Sequence, residues 1–563
     1  MLTFRLSFDD LTSAWESTPA GWRAGQSYLH PYHHSALEAY ALNDGARLLT
    51  VVRERLRGVS SPWTANELQM TRVSPQVLSA ELESAGKWPL DVILMLVSNH
   101  RQGGEVNIHT GAWGTAPVYL LRADDTLWGH WDPSELYQHT RNKTLVSELT
   151  AHFLIKHGCD YSKQTLFPEI QLLTERSRTK WAFHNDHAGE IEIEYPPPAE
   201  AWRPRTLKPG ADVLGTFREI LASSMRRWVA DDADLVSAEL SSGLDTGIVA
   251  SLGAGLTSRP VQTYGLIMPG EPGRLQQERR KELIERFGFI DRPLMAEDHP
   301  PLATQSLLRK KHIVPGHEFY YEAFEAMLKL ASAHDTKKLF SGNGGDELCS
   351  PYANEWTNEQ REQRRRDVLA ERADVPDFLT DRTYESFRDT VYTIDRAPRA
   401  AMSVSALTSA CAASPLYLSN GIWPINPLCT PELVRFCRSL PYEWRAGRAL
   451  QRKFMTSLGC SETYAYPKST ETFIPVAQLA IRRKARPLFQ ELFENSQLAE
   501  MGFVDRDKLL SSYATYCANE TLEVPDAEEG FYSVAVLELT LRALQGEPQK
   551  GTKNIYHKKA QGI

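Results

Sequence analysis

LVSAELSSGLDTGIVASL, residues 235–252, starts as an apolar strand and ends as an apolar helix. Between the two stand Ser241, Ser242, Gly243, Asp245 and Thr246. A tight turn after a buried strand can aim successive backbone N–H groups at one point. A helix starting there adds the positive end of its dipole. Such a nest suits a phosphate or pyrophosphate, and the three hydroxyls add donors. Asp245 would repel bare phosphate, so its presence makes sense if Mg²⁺ bridges the carboxylate and the phosphate oxygens. No Gly-Lys-Ser/Thr follows, so this is not a Walker-type loop. The plain alternative is an N-capped helix with an acid in its first turn.

A second stretch shifts the balance. LFSGNGGDELCSPY, residues 339–352, is again a strand running into a glycine-rich turn, here with Asp346 and Glu347. Two acid-bearing strand ends of one parallel sheet can lie side by side and offer a carboxylate pair for magnesium above a phosphate nest. The chain around them alternates. Strands are predicted at 235–240, 261–267 and 337–341, and helices at 245–253, 275–288 and 317–333. Such alternation argues for a parallel sheet covered by helices on both faces, with ligands beyond the carboxyl ends of its strands. Past about residue 355 the pattern is mostly helical.

Working outward, five prolines in YPPPAEAWRPRTLKPG (195–210) mark an extended connector. A front part, 1–200, is therefore expected before it and a second, 210–550, after it. The front part holds EIEIEY, LLTVVRERL and GAWGTAPVYLL followed by LWGHWDPSEL, which predict a layered, β-rich unit. The overall class is α/β.

The chain has 563 residues and a net charge of −8, which argues against a nucleic-acid or membrane-surface binder. No apolar run reaches membrane-spanning length, and the acidic start is unlike an export signal, so a cytoplasmic location is expected. Seven cysteines, none in a C-x-x-C pair, fit reduced thiols. His30, His33 and His34 in HPYHH have no acid or cysteine at useful spacing and are read as solvent-facing or packing. The charged run 358–372, with Arg364 to Arg366, reads as a solvated helix, and Phe319, Tyr320, Tyr321 and Phe324 as core.

LSSGLDTG resembles the pyrophosphate loop S-G-G-x-D-S of the N-type ATP pyrophosphatases, and FSGNGGDEL resembles the S-G-x-G-x-D-E element of the asparagine synthetase family. The likeness runs from about 210 to 545. It implies cleavage of ATP between its α and β phosphates, an acyl-adenylate, and an amine that displaces AMP to form an amide. By matching positions, Ser241, Ser242, Gly243, Asp245 and Thr246 would hold pyrophosphate. Asp245 and Asp346 would carry magnesium, and Leu240, Leu266, Ser341 and Gly342 would line the nucleoside. Ser242 replaces the family's first glycine. RALQRKFMTSLGCSETYAYPKSTETF (448–473) resembles the family's late segment, in which Lys468 takes the position of a charge-stabilising lysine. Arg452 and Lys453 are further phosphate-contact candidates.

Glutamine-using members carry a cysteine directly after the initiator methionine. Here Leu2 stands there, and the first cysteine is Cys159. The front unit is thus expected to be a degenerate glutaminase-like (Ntn-type) domain that makes no ammonia. In relatives without that cysteine, the β-lactam synthetases and the lasso-peptide macrolactam cyclases, the amine belongs to the substrate and the product is a ring. Asn343 stands where asparagine formers have Glu and β-lactam formers have Tyr. The stretches 498–513 and 536–544 look more like the lasso cyclases. A peptide or small-molecule carboxylate is therefore the expected substrate, with a leader peptidase or another biosynthetic enzyme as a possible partner. A β-lactam former acting on a small β-amino acid, and an amide ligase using free ammonia, stay open. Glu347, Tyr384 and Glu385 are the candidate bases.

Overall fold

A computed structural model describes residues 1–546 except 60, 65–67, 101–102, 185–186, 230–234, 304–315, 317, 374–375, 391–392, 469–470 and 520–526. Its front part stacks two seven-stranded sheets. One runs in the order Ile170–Leu173, Val118–Ala123, Thr126–His130, Leu2–Ser7, Ser27–Pro31, Gly21–Ala24, Glu16–Thr18. The other runs His187–Glu194, Arg178–His184, Gly103–Thr110, Val92–His100, Arg47–Glu54, Leu37–Asn43, Met70–Arg72. Phe4, Leu6 and Leu120 of the first meet Met95, Val106 and Trp181 of the second in one apolar core. The outer face of the second sheet is covered as well: Tyr40, Leu42, Leu49 and Val51 pack on Leu78 and Ala85 of helix Pro75–Ala85. Burial on both faces is why LLTVV has no polar alternation.

The second part holds a five-stranded parallel sheet in the order Ile290–Met295, Gln262–Ile267, Ser237–Glu239, Lys338–Phe340, Trp423–Ile425. The strand earliest in sequence is central. The chain first builds outward to one edge, then returns and builds toward the other. The order therefore reverses between Ser237–Glu239 and Lys338–Phe340, and ligands of such sheets bind in the crevice at that reversal. Both edge strands escape the sequence patterns because each contains a proline, Pro293 and Pro424. Proline cannot donate to a ladder, and an edge position tolerates that. Past residue 355 the chain is mostly helical, as expected, with Trp423–Ile425 the one sheet strand among the described residues there. The predicted helix 275–288 begins earlier, as Gly270–Phe287.

The last helix, Ala527–Gln545, is buried on nearly every side, as an internal helix must be to leave no charged stripe. Its wholly buried Glu538 accepts from Ser496 Oγ at 2.7 Å and the N–H groups of Gln497 and Leu498 at 3.1 and 2.9 Å. That carboxylate ties the start of helix Gln497–Glu500 to the C-terminal helix. Among the described residues, no helix is long and apolar enough to cross a membrane. His30 stacks on Tyr28, and His34 Nδ1 accepts from Ala36 N–H, so these histidines serve packing. The charged run forms helix Asn358–Ala373; the side chain of Arg364 lies outside the described residues.

The two parts share a buried polar joint. Trp423 Nε1 donates to Glu54 Oε1 at 2.6 Å, Asp91 N–H donates to Glu54 Oε2 at 2.8 Å, and Tyr32 Oη donates to Leu418 O at 2.6 Å. Burial, with the charge of Asp91 beside it, pushes the Glu54 carboxyl up to about 7 from its ordinary 4.5. The folded chain thus holds this proton more tightly than the unfolded chain. The corresponding stability is present in full below pH 4.5 and is lost as pH rises through about 7. In Glu54→Gln the urea midpoint is expected to fall less steeply than in the wild type between about pH 5 and pH 8. Parallel pH profiles would contradict the assignment.

Candidate active site

The two acid-bearing turns meet across the sheet reversal. Ala238 pairs with Phe340, so Leu240–Gly243 and Ser341–Gly344 leave adjacent strands side by side. The approach is close. A Cβ added at Gly342 would lie 3.0 Å from Thr246 N, and one added at Gly345 would lie 2.1 Å from Asp245 Cγ. Asp245 and Asp346 converge on one guanidinium: Arg448 Nη1 stands 2.6 Å from Asp346 Oδ1, and its Nη2 bonds Asp245 Oδ1. Burial, opposed by Arg448 and reinforced by the charge of Asp346, pushes the Asp245 carboxyl up to about 6.

The loop itself is knitted by hydroxyls. Ser241 Oγ lies 3.0 Å from Thr246 Oγ1 and accepts the Gly243 N–H at 3.0 Å. Helix Leu244–Gly253 follows with Gly243 at its N-cap and no capping side chain, which leaves its first N–H groups directed at the crevice. Gln276 holds the neighbouring strand end: its Nε2 donates to Leu266 O at 2.6 Å and Ser241 O at 3.1 Å, and its Oε1 accepts from Met268 N–H at 2.9 Å. Tyr464 Oη donates to Gly243 O at 2.9 Å and brings the late segment against the loop.

The residues expected to hold pyrophosphate, Ser241, Ser242, Gly243, Asp245 and Thr246, thus come together with Ser341, Gly342, Asp346 and Glu347. Leu240 is buried at the strand end, and Leu266 is half-buried on the next strand. Lys468 is exposed, four residues beyond Tyr464. Arg452 is engaged locally: its Nε donates to Gly447 O at 2.7 Å and its Nη1 to Ala465 O. Lys453 Nζ lies 4.4 Å above the Trp444 ring. Asn343 is turned into packing, its Nδ2 donating to Ala406 O at 3.0 Å. Glu347 accepts from Ser405 Oγ. Tyr384 and Glu385 sit on helix Asp381–Thr390, where Thr383 Oγ1 binds Phe503 O at 2.6 Å.

Several site residues escape the motifs. Arg448 sits in a left-handed conformation, φ 60°, directly after left-handed Gly447, and no pattern of residue types announces its convergence on two remote acids. Gln451 donates through Nε2 to Gly345 O at 2.8 Å. Glu239, on the central strand, accepts from Tyr417 Oη, and the Gly342 N–H faces its carboxylate. Burial pushes this carboxyl up to about 7. An acid inside an otherwise apolar strand was the signal for it.

The donor set suits a magnesium ion. Two carboxylates aimed at one cationic group, beside a helix N-terminus free for phosphate, match the one or two carboxylates plus phosphate oxygens that Mg²⁺ takes. Among the described residues, no cluster of three or more His, Cys, Asp or Glu side chains could hold a metal by itself.

The family model for asparagine synthase matches residues 216–543, more than half of the chain. The chain belongs to the asparagine synthase family. Membership makes it an ATP-using enzyme of the general amide or N-ligase class. No curated protein matches it. Among solved structures, a U34-tRNA thiolase, NcsA from Methanococcus maripaludis with its [4Fe-4S] cluster, aligns at 11% identity and a TM-score of 0.24, over 56% of this chain and 82% of that one. NMN synthetase from Francisella tularensis aligns at 18% identity and a TM-score of 0.17, over 26% of this chain and 58% of that one.

Proposed function

We propose that this asparagine synthase family member is a ring-closing amide synthetase that converts ATP to AMP and pyrophosphate. The observation that carries the reading is the meeting of Asp245 and Asp346 at the sheet reversal beside an uncapped helix start. A substrate carboxylate oxygen attacks the α phosphorus, and the bond to the β-phosphate bridge breaks. The amine of the same molecule then attacks the acyl carbon. A C–N bond forms, the C–O bond to AMP breaks, and the amine gives up a proton.

The loop hydroxyls and helix N–H groups bind the leaving pyrophosphate. Asp245 and Asp346 would hold magnesium, which when bound draws charge from the phosphates. Leu240, Leu266, Ser341 and Gly342 line the nucleoside. Lys468 supplies positive charge at the reacting phosphate. Glu239 and Glu347 are the carboxylates beside the second turn able to take the amine proton.

An internal amine is favoured because the front part offers no thiol where a glutaminase needs one. Leu2 is wholly buried within its first strand, paired to Pro31. The front part is then a silent glutaminase-like domain, and a precursor peptide processed by a leader peptidase is the expected substrate.

The test is ATP–pyrophosphate exchange over a panel of precursor peptides and β-amino acids, with mass spectrometry for the loss of one water. Exchange with a peptide and a product one water lighter supports the macrolactam. The same result with a β-amino acid supports the β-lactam alternative. ATP cleavage to ADP would overturn the reading. No ammonia is expected from glutamine, and its release by the pure protein would overturn the silent front domain.

A further inference from the structure

The serine that departs from the family loop has its own partners. Ser242 adopts φ 150°, a region glycine enters freely and other residues rarely. Its hydroxyl is nevertheless buried and held from two sides. Arg279 Nε and Nη2 donate to Ser242 Oγ at 3.3 and 3.1 Å, and Ser242 Oγ donates to Glu471 Oε1. Arg279 Nη2 also pairs with the same Glu471 oxygen. Arg279 comes from helix Gly270–Phe287 on the next strand's crossover, and Glu471 from the segment just past Lys468. Three distant pieces of chain thus meet at Ser242.

Two neighbouring arginines are committed elsewhere. Arg280 Nη2 pairs with Asp291 Oδ1 at 2.5 Å, and Arg448 with Asp245 and Asp346. Among the described residues, Glu471 is the carboxylate that bonds the loop's Ser242 hydroxyl and the Arg279 guanidinium together. That combination of donors, a buried guanidinium with a hydroxyl beside an uncapped helix start, is the chemistry that binds a phosphate oxygen.

Resting on the reading of this loop as the pyrophosphate site, we propose that Arg279 and Ser242 are a phosphate-gripping pair, and that Glu471 occupies their phosphate position as an internal anion until a polyphosphate displaces it. The serine hydroxyl offsets the backbone strain by adding a donor the family glycine lacks. Glu471 keeps the guanidinium neutralised while no nucleotide is bound.

The signs of the expected changes separate this from a structural ion pair. The full-length protein is titrated with inorganic pyrophosphate, with ATP and with adenosine, each with magnesium, by calorimetry. Glu471→Gln removes the competing charge, so pyrophosphate and ATP bind about tenfold more tightly. Arg279→Leu weakens both by about tenfold or more, and Arg279→Lys recovers part of the loss. Adenosine, which has no phosphate, binds all variants as it binds the wild type, which reports that the fold is kept. A purely structural pair predicts the opposite for Glu471→Gln: weaker or unchanged pyrophosphate binding with a lower melting temperature. That outcome overturns the inference. Wild-type protein that binds ATP and pyrophosphate while Glu471→Gln leaves both affinities unmoved overturns the inference alone. Wild-type protein that binds neither overturns it together with the reading of the site.

Discussion

Asp245→Asn is expected to lower ATP–pyrophosphate exchange by on the order of a thousandfold, because it removes a carboxylate that would hold the magnesium neutralising the leaving phosphates. The fold should survive. Asp245 is largely buried, its carboxyl is pushed up to about 6, and an amide of the same shape escapes that desolvation. Arg448 keeps its partner Asp346. Exchange is measured beside a thermal melt. Loss of exchange with an unchanged melt supports the assignment; undiminished exchange removes Asp245 from the site. Asp346→Asn should act in the same direction and reach its effect from the other strand tip.

Gly345→Val tests the juxtaposition without touching a charge. A Cβ there would stand 2.1 Å from Asp245 Cγ and 2.3 Å from Asp245 Oδ1. No rotamer of the valine avoids this, so the Asp245 side chain must swing away from Asp346. Misplacing a reacting constellation by about 1 Å can cost about a hundredfold, and here the shift exceeds that. Exchange should fall by at least that factor, with some loss of melting temperature from overpacking. Normal exchange by Gly345→Val would show that the two tips need not face each other.

The two predictions rest on features with different visibility in the sequence. The acids, hydroxyls and glycines of 241–246 and 341–347 are local. A strand, a turn and a helix in succession display them whatever the rest of the chain does. The parallel sheet was legible for the same reason, through alternation of short apolar runs with helical spacing. Its edge strands were not, since Pro293 and Pro424 contradict the strand pattern and are admitted because, among the described residues, no strand pairs on their outer side. The groups that close the site come from far along the chain. Arg448 reaches Asp245 across 203 residues, and Glu471 reaches Ser242 across 229. Each looks, in sequence, like any surface arginine or glutamate.

By itself, the order of residues determined the chemistry on offer: two glycine-rich turns with acids, each at a strand end, and no thiol at position 2. The tertiary structure alone decided that these turns leave neighbouring strands, since strand order is set by how the crossovers pack and not by any local pattern. It also decided that Arg448 pairs with Asp245 and Asp346, and Glu471 with Ser242 and Arg279, because pairing between remote charges depends on the distance the fold leaves between them.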